Sequence, residues 1–324
     1  MARNRRVRSF PPEYQLALMS LSTRLLTPQD RDAVARLQLL ARGVVEGITV
    51  GRHRSPHKGA SVEFKEHRQY VKGDEIRSID WKLFGKTDRL YIRQYEDETN
   101  LRAMILLDQS GSMAYRGSRA AGVSKHDFAT RLAACLSTLL ISQQDSVGLC
   151  TFDTAMRELI PTRGKISHLM AITECLVRSQ PGNETQLSGT LQQVAQKLKR
   201  RGMLILISDC FDEIDALMKS LAYFRHSGNE VVVFQVWDRD ELDFPFGQRT
   251  QFRSLESSTH QRLVDPTSIR AAYLKRVAEF RQQLSERTAK ERIDLIHCTT
   301  DMSYAEVLSS YITRRAGMQR GGSR

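Results

Sequence analysis

Long hydrophobic runs are missing from this chain. Stretches such as Ala103–Leu107 and Met203–Ile207 stop at five residues, against roughly 20 for a spanning helix, so no transmembrane segment is expected. Cysteine is sparse: Cys135, Cys150, Cys175, Cys210 and Cys298 are odd in number and show no CxxC spacing. That excludes a disulfide framework and a cysteine zinc site, and leaves buried free thiols in a reducing compartment. No apolar segment follows the basic start MARNRRVRSFPPEY, so no secretory signal is read there and a soluble, cytoplasmic protein is expected. Neither a P-loop nor G-x-G-x-x-G is present, which removes the usual support for nucleotide binding. Acidic residues are absent from residues 1–8 and after Glu306, and these two ends hold +8 of the net +12. The basic excess therefore reads as solvated tails, with no specific nucleic-acid partner.

What is present is ordinary globular composition, 40% hydrophobic and 27% charged over 324 residues. Residues 1–12 read as a flexible basic arm ending at Pro11-Pro12. Residues 13–98 form an N-terminal region. Its first part, 13–41, reads as helical with a break or new start at Thr27-Pro28, and 43–98 reads as small β-elements and loops. From residue 99 to 315 strands and helices alternate. Strands are expected at Arg102–Leu107, Ser146–Phe152, Met203–Ser208, Glu230–Trp237 and Ile293–Cys298, with Met156–Ile160 as a hairpin partner. Helices are expected at Lys125–Ser142, Lys165–Arg178, Gln186–Arg200, Ile214–His226, around Tyr273–Leu284 and at Tyr304–Arg315. Residues 239–266 read as a polar insertion and 316–324 as a flexible tail. The expected fold is α/β: a Rossmann-like, mostly parallel sheet with helices on both faces and an N-terminal helical and β-loop extension.

In such sheets ligands bind outside the carboxyl ends of the strands. Asp108-Gln109-Ser110-Gly111-Ser112 follows the first strand, Asp209 follows Met203–Ser208, and Thr185 precedes the helix at Gln186. Two carboxylates and three hydroxyls on one rim are hard oxygen donors, suited to Mg2+ with Mn2+ or Ca2+ as neighbours. Rival chemistries fail on the same residues. A haloacid-dehalogenase-type phosphotransferase needs an acid at position 110, which is Ser110. A serine hydrolase elbow needs glycine at 108, which is Asp108. The set binds an ion with an open position and is expected to be non-enzymatic. The alternative is a metal-dependent hydrolase, a nuclease or phosphatase using the same acids, with Asp153 or Asp212 as extra groups.

Asp108-x-Ser110-x-Ser112, Thr185 and Asp209 resemble the metal-ion-dependent adhesion site of von Willebrand factor A domains. A wider resemblance spans about residues 40 to 315. It rests on Gly51-x-His53-x-Ser55, on Gly59-x-Ser61-x-Glu63-Phe64-x-Glu66-x-Arg68-x-Tyr70, and on Gly73-Asp74-Glu75-x-Arg77-x-Ile79-Asp80-Trp81. Ser124-Lys125, Asp145-x-Val147-Gly148-Leu149, Leu206–Asp209 and Phe244-Pro245-Phe246 extend it. This pattern is similar to the bacterial family called domain of unknown function 58, with Glu75 where a second Asp is usual and Lys86 where Arg is usual. The resemblance implies a von Willebrand factor A-like protein that works with a MoxR-type AAA+ ATPase, in chaperone-like maturation or assembly of an unspecified client protein. His53, Ser55, Glu63, Arg68, Tyr70, Gly73, Asp74, Arg77, Asp80 and Trp81 would then form either a partner-docking face or a latch onto the sheet domain.

Overall fold

The computed structural model describes residues 28–53, 67–71, 81–93, 101–119, 122–182, 189–191, 193–194, 202–247, 250–253 and 261–321. Thr185, and Ser55, Glu63, Gly73, Asp74, Arg77 and Asp80, lie outside the described residues.

The chain opens with helix α1 (Pro28–His53), a short strand β1 (His67–Gln69), helix α2 (Trp81–Thr87) and strand β2 (Tyr91–Arg93). The alternating part then runs β3 (Arg102–Asp108), α3 (Lys125–Ser142), β4 (Ser146–Phe152), β5 (Met156–Arg163), α4 (Ile166–Arg178) and β6 (Met203–Ser208). It continues with α5 (Ile214–His226), β7 (Glu230–Trp237), α6 (Arg239–Asp243), β8 (Thr250–Arg253), β9 (Gln261–Val264), α7 (Pro266–Lys290), β10 (Asp294–Thr299) and α8 (Tyr304–Gly321). Residues 189–191 and 193–194 are helical, within the helix expected from Gln186.

Six strands make one sheet in the order β10-β7-β6-β3-β4-β5. All neighbours are parallel except β4 and β5, which pair antiparallel with Cys150 opposite Leu159. The parallel strands are buried on both faces, which is why they read as continuous apolar runs. Successive side chains alternate between the two faces. Ala103, Ile105 and Leu107 pack into one core with α1, α3, α4 and α8. Met104 and Leu106 pack into the other with α5, α7 and the helical residues Leu191 and Val194. All five cysteines are buried free thiols, as their place in apolar segments predicts.

The N-terminal region differs from expectation. Helix α1 does not stop near residue 41 but continues to His53, and Trp81–Thr87 is helical where a loop is expected. Val34, Leu37, Ala41 and Val45 fall at helical spacing and are all buried, the last three in the core shared with α3 and α4. That packing outweighs the β-branched run Val44-Val45 and the glycines Gly43 and Gly47. Among the described residues of this region, strand is confined to β1 and β2, which pair antiparallel through Arg68 and Ile92. The carboxyl end also departs, since α8 runs on to Gly321 across the stretch expected to be a flexible tail. The insertion contains α6 and the hairpin of β8 and β9.

Because α1 completes the core, Val45→Asp should destabilise the protein by roughly 3 kcal/mol, the cost of an unpaired buried charge. Leu39→Asp, on the exposed side of the same helix at 69% exposure, should change stability little. Urea unfolding midpoints compare the two, and equal shifts would show that α1 is not part of the core.

Candidate functional site

Numbered in chain order within the sheet, the six strands run 6-5-4-1-2-3, so the order reverses direction between β3 and β6. A crevice at that reversal is where doubly wound sheets receive ligands. β3 ends in Asp108 and Asp209 immediately follows β6. Register pairs Leu107 with Ile207, so Asp108 comes level with Ser208 and Asp209 stands one residue further on, near enough for its charge to act on Asp108.

The Asp108 side chain is fully buried. Its Oδ1 accepts the Ser110 backbone N–H at 2.8 Å, and its Oδ2 accepts the Ser208 hydroxyl. The first bond folds the chain back on itself, and Ser110 then caps a 3-10 turn at Gly111–Ala114. The outcome is that Ser110 Oγ and Ser112 Oγ stand 3.1 Å apart. Gln109 fixes the loop from both sides. Its N–H donates to the Phe152 carbonyl at 2.7 Å and its carbonyl accepts the Gly182 N–H at 2.8 Å. The latter bond brings the segment after α4, three residues ahead of Thr185, to the same rim.

Asp209 is also buried. Its Oδ1 accepts the Phe211 N–H at 3.1 Å and its Oδ2 accepts Lys125 Nζ at 2.9 Å. The next residue, Cys210, is held left-handed at φ 61, a conformation that non-glycine residues seldom adopt, and its N–H donates to Ser208 Oγ. Lys125 comes from the first turn of α3, started by a capping box of Ser124 and Asp127. Its fully buried ammonium also donates to Glu241 Oε1 at 2.8 Å. Burial alone would push Lys125 down, but Asp209 and Glu241 together hold it above the usual lysine range.

The two acids are therefore unequal. Asp209 has a cation beside it, whereas Asp108 makes no ion pair among the described residues. Burial, followed by the charge of Asp209, pushes the Asp108 carboxyl up to about 7 against the opposing hydrogen bonds from Ser208 and Ser110. A buried carboxylate in that position, with two hydroxyls at hand, is a fitting donor set for a hard divalent cation. Among the described residues no group of three or more His, Cys, Asp or Glu side chains is placed to hold a metal, so an ion here depends on the serine hydroxyls.

The other described residues named from sequence belong to several elements. His53 ends α1 and Arg68 lies in β1. Tyr70 is half-buried, with its N–H on the Leu90 carbonyl at 2.9 Å. Trp81 starts α2, is 60% exposed and meets the edge of Phe84. Asp153, a candidate extra acid, accepts Arg157 Nε at 2.8 Å. Sequence reasoning assigned no role to Lys125 or Glu241. Ser124-Lys125 stood in the resembling pattern, but a lysine just inside a helix start ordinarily faces solvent.

A family profile described as "Protein of unknown function DUF58" matches residues 66–283. The chain belongs to this family. Among curated relatives, the uncharacterized protein Rv1480 of Mycobacterium tuberculosis is 22% identical over 300 residues, covering 91% of this chain and 92% of that protein. The uncharacterized protein Mb1516 of Mycobacterium bovis gives the same figures. Similar solved structures include BatB from Bacteroides thetaiotaomicron, with 16% identity, a TM-score of 0.46 and coverage of 67% of this chain and 99% of that one. The VWA domain of SpRpn10 is similar at 8% identity and a TM-score of 0.40, over 65% of this chain and 95% of that one. The α/β architecture itself is fixed by the strand order and register of this DUF58 chain.

Proposed function

We propose that this protein is a non-enzymatic, divalent-ion-dependent adaptor that binds other proteins and works with a MoxR-type AAA+ ATPase in the maturation or assembly of a client. One observation carries the reading: where the sheet order reverses, buried Asp108 and Asp209 stand at the ends of neighbouring strands, and the loop that Asp108 begins sets the hydroxyls of Ser110 and Ser112 3.1 Å apart. Asp108, Ser110, Ser112 and Asp209 would hold the ion, with Thr185 added by the family resemblance. Mg2+, or Mn2+ or Ca2+ in its place, supplies an open position that a partner's carboxylate oxygen can fill.

The non-enzymatic reading is supported by how the neighbouring acids are engaged. Asp209 is held by Lys125 and Asp153 by Arg157, whereas hydrolysis needs a free base or a second ion about 4 Å away. The ATPase and client follow from the resemblance. A cytoplasmic location is proposed from the five buried free thiols, which suit a reducing compartment. No helix among the described residues is long and apolar enough to cross a membrane.

The test is co-purification of the protein with its ATPase in Mg2+, in EDTA, and with Ser110→Ala plus Ser112→Ala. The complex should be lost in EDTA and in the double variant. A complex unchanged in both would end the metal-bridge reading and turn attention to the Gly73–Trp81 block, probed with Arg77→Glu.

A further inference from the structure

The buried Lys125 is a cation already delivered to the proposed ion site. Its Nζ lies 2.9 Å from Asp209 Oδ2 and 2.8 Å from Glu241 Oε1, with the Tyr115 and Phe211 rings at 5.9 and 5.3 Å. Glu241 is itself fixed, because its Oε2 accepts the Asp238 N–H at 2.8 Å in the capping box that starts α6. The other acids of α6 and its cap grip the chain just beyond the serine loop. Asp238 accepts the Gly117 N–H, and Asp240 accepts the Ser118 N–H and hydroxyl and Arg119 Nε. A ring of contacts thus runs from Asp209 through Lys125 and Glu241 to α6, then to residues 117–119 and back along the chain to Ser112.

We infer that Lys125 is a built-in competitor for Asp209, which sets the strength of ion binding and ties it to α6 through Glu241. This inference rests on the ion-site reading. With Lys125 in place, the two carboxylates and one ammonium leave the site with a net charge of −1. Without it the charge is −2, and a divalent cation is attracted more strongly. Glu241 acts in the opposite sense, since it draws Lys125 away from Asp209. Ion binding at Asp209 should shift the ammonium's contact towards Glu241, so that α6, at the start of the insertion, responds to occupancy.

Calorimetric titration of the full chain with Mg2+ tests this on Lys125→Met and Glu241→Gln, with thermal melts in Mg2+ and in EDTA as a second readout. Lys125→Met should bind Mg2+ roughly tenfold more tightly or better, and its melting temperature should rise more on Mg2+ addition than that of the wild type. Glu241→Gln should bind more weakly, although among the described residues Glu241 reaches the proposed ligands only through Lys125. A residue that only supports the fold would not move the two affinities in opposite directions. Wild-type affinity in both variants would overturn the inference and leave the ion site standing. No Mg2+ binding by the wild type would overturn the ion site and the inference with it. Should Lys125→Met fail to fold, Glu241→Gln decides: weaker binding supports the inference, and unchanged or tighter binding overturns it.

Discussion

In Asp108→Ala, Mg2+ binding measured by calorimetry should fall by roughly a hundredfold or more, the loss expected when one of two carboxylates leaves a shielded divalent site. The fold should survive. Among the described residues Asp108 is the acid without an ion pair, and burial beside Asp209 already disfavours its charge, so alanine removes a group that the metal-free core tolerates poorly. The lost hydrogen bonds from Ser110 N–H and Ser208 offset that relief, leaving a net stability change within about 2 kcal/mol. Wild-type Mg2+ affinity in the variant would remove Asp108 from the site.

The second large effect concerns the wall of the site. A Cβ on Gly117 would lie 1.9 Å from Asp238 Oδ1 and 2.6 Å from its carboxyl carbon. Asp238 cannot yield easily. It is fully buried, caps α6 through the Asp240 N–H, and accepts the Thr300 hydroxyl at 2.8 Å and the Gly117 N–H at 3.1 Å. Gly117→Ala should therefore destabilise the protein by roughly 2–4 kcal/mol through overpacking and displaced hydrogen bonds. Gly47→Ala is the control. It lies within α1 with nothing within 4 Å of its added Cβ, and should be neutral or stabilising by up to about 1 kcal/mol. Denaturant midpoints for both variants provide the comparison, and a neutral Gly117→Ala would contradict the tight seating of this loop on α6.

Much of the sheet domain can be read from sequence because its signals are local and agree. Met203–Ser208 is an unbroken apolar strand, α3 carries its own capping box, and Asp108 and Asp209 stand directly behind apolar strands. The reading fails where tertiary packing decides. Gly43 to Val50 looks like strand material, rich in glycine and β-branched residues, yet one face of it is needed to cover α3 and α4, so α1 continues. The site divides in the same way. Its acids and serines are visible as a short motif at a strand end. Lys125 is not, because its partners lie 84 and 116 residues away, and only the folded chain shows that a lysine at a helix start is fully buried between two acids.

The hard divalent ion proposed between the Asp108 loop and Asp209 can be located by crystallising the chain with Mn2+ and mapping its anomalous scattering. One strong peak per chain is expected, in contact with Asp108, Ser110 and Ser112 and absent from crystals of Asp108→Ala. A map with no peak there, or with its strong peak at another place on the chain, would contradict it.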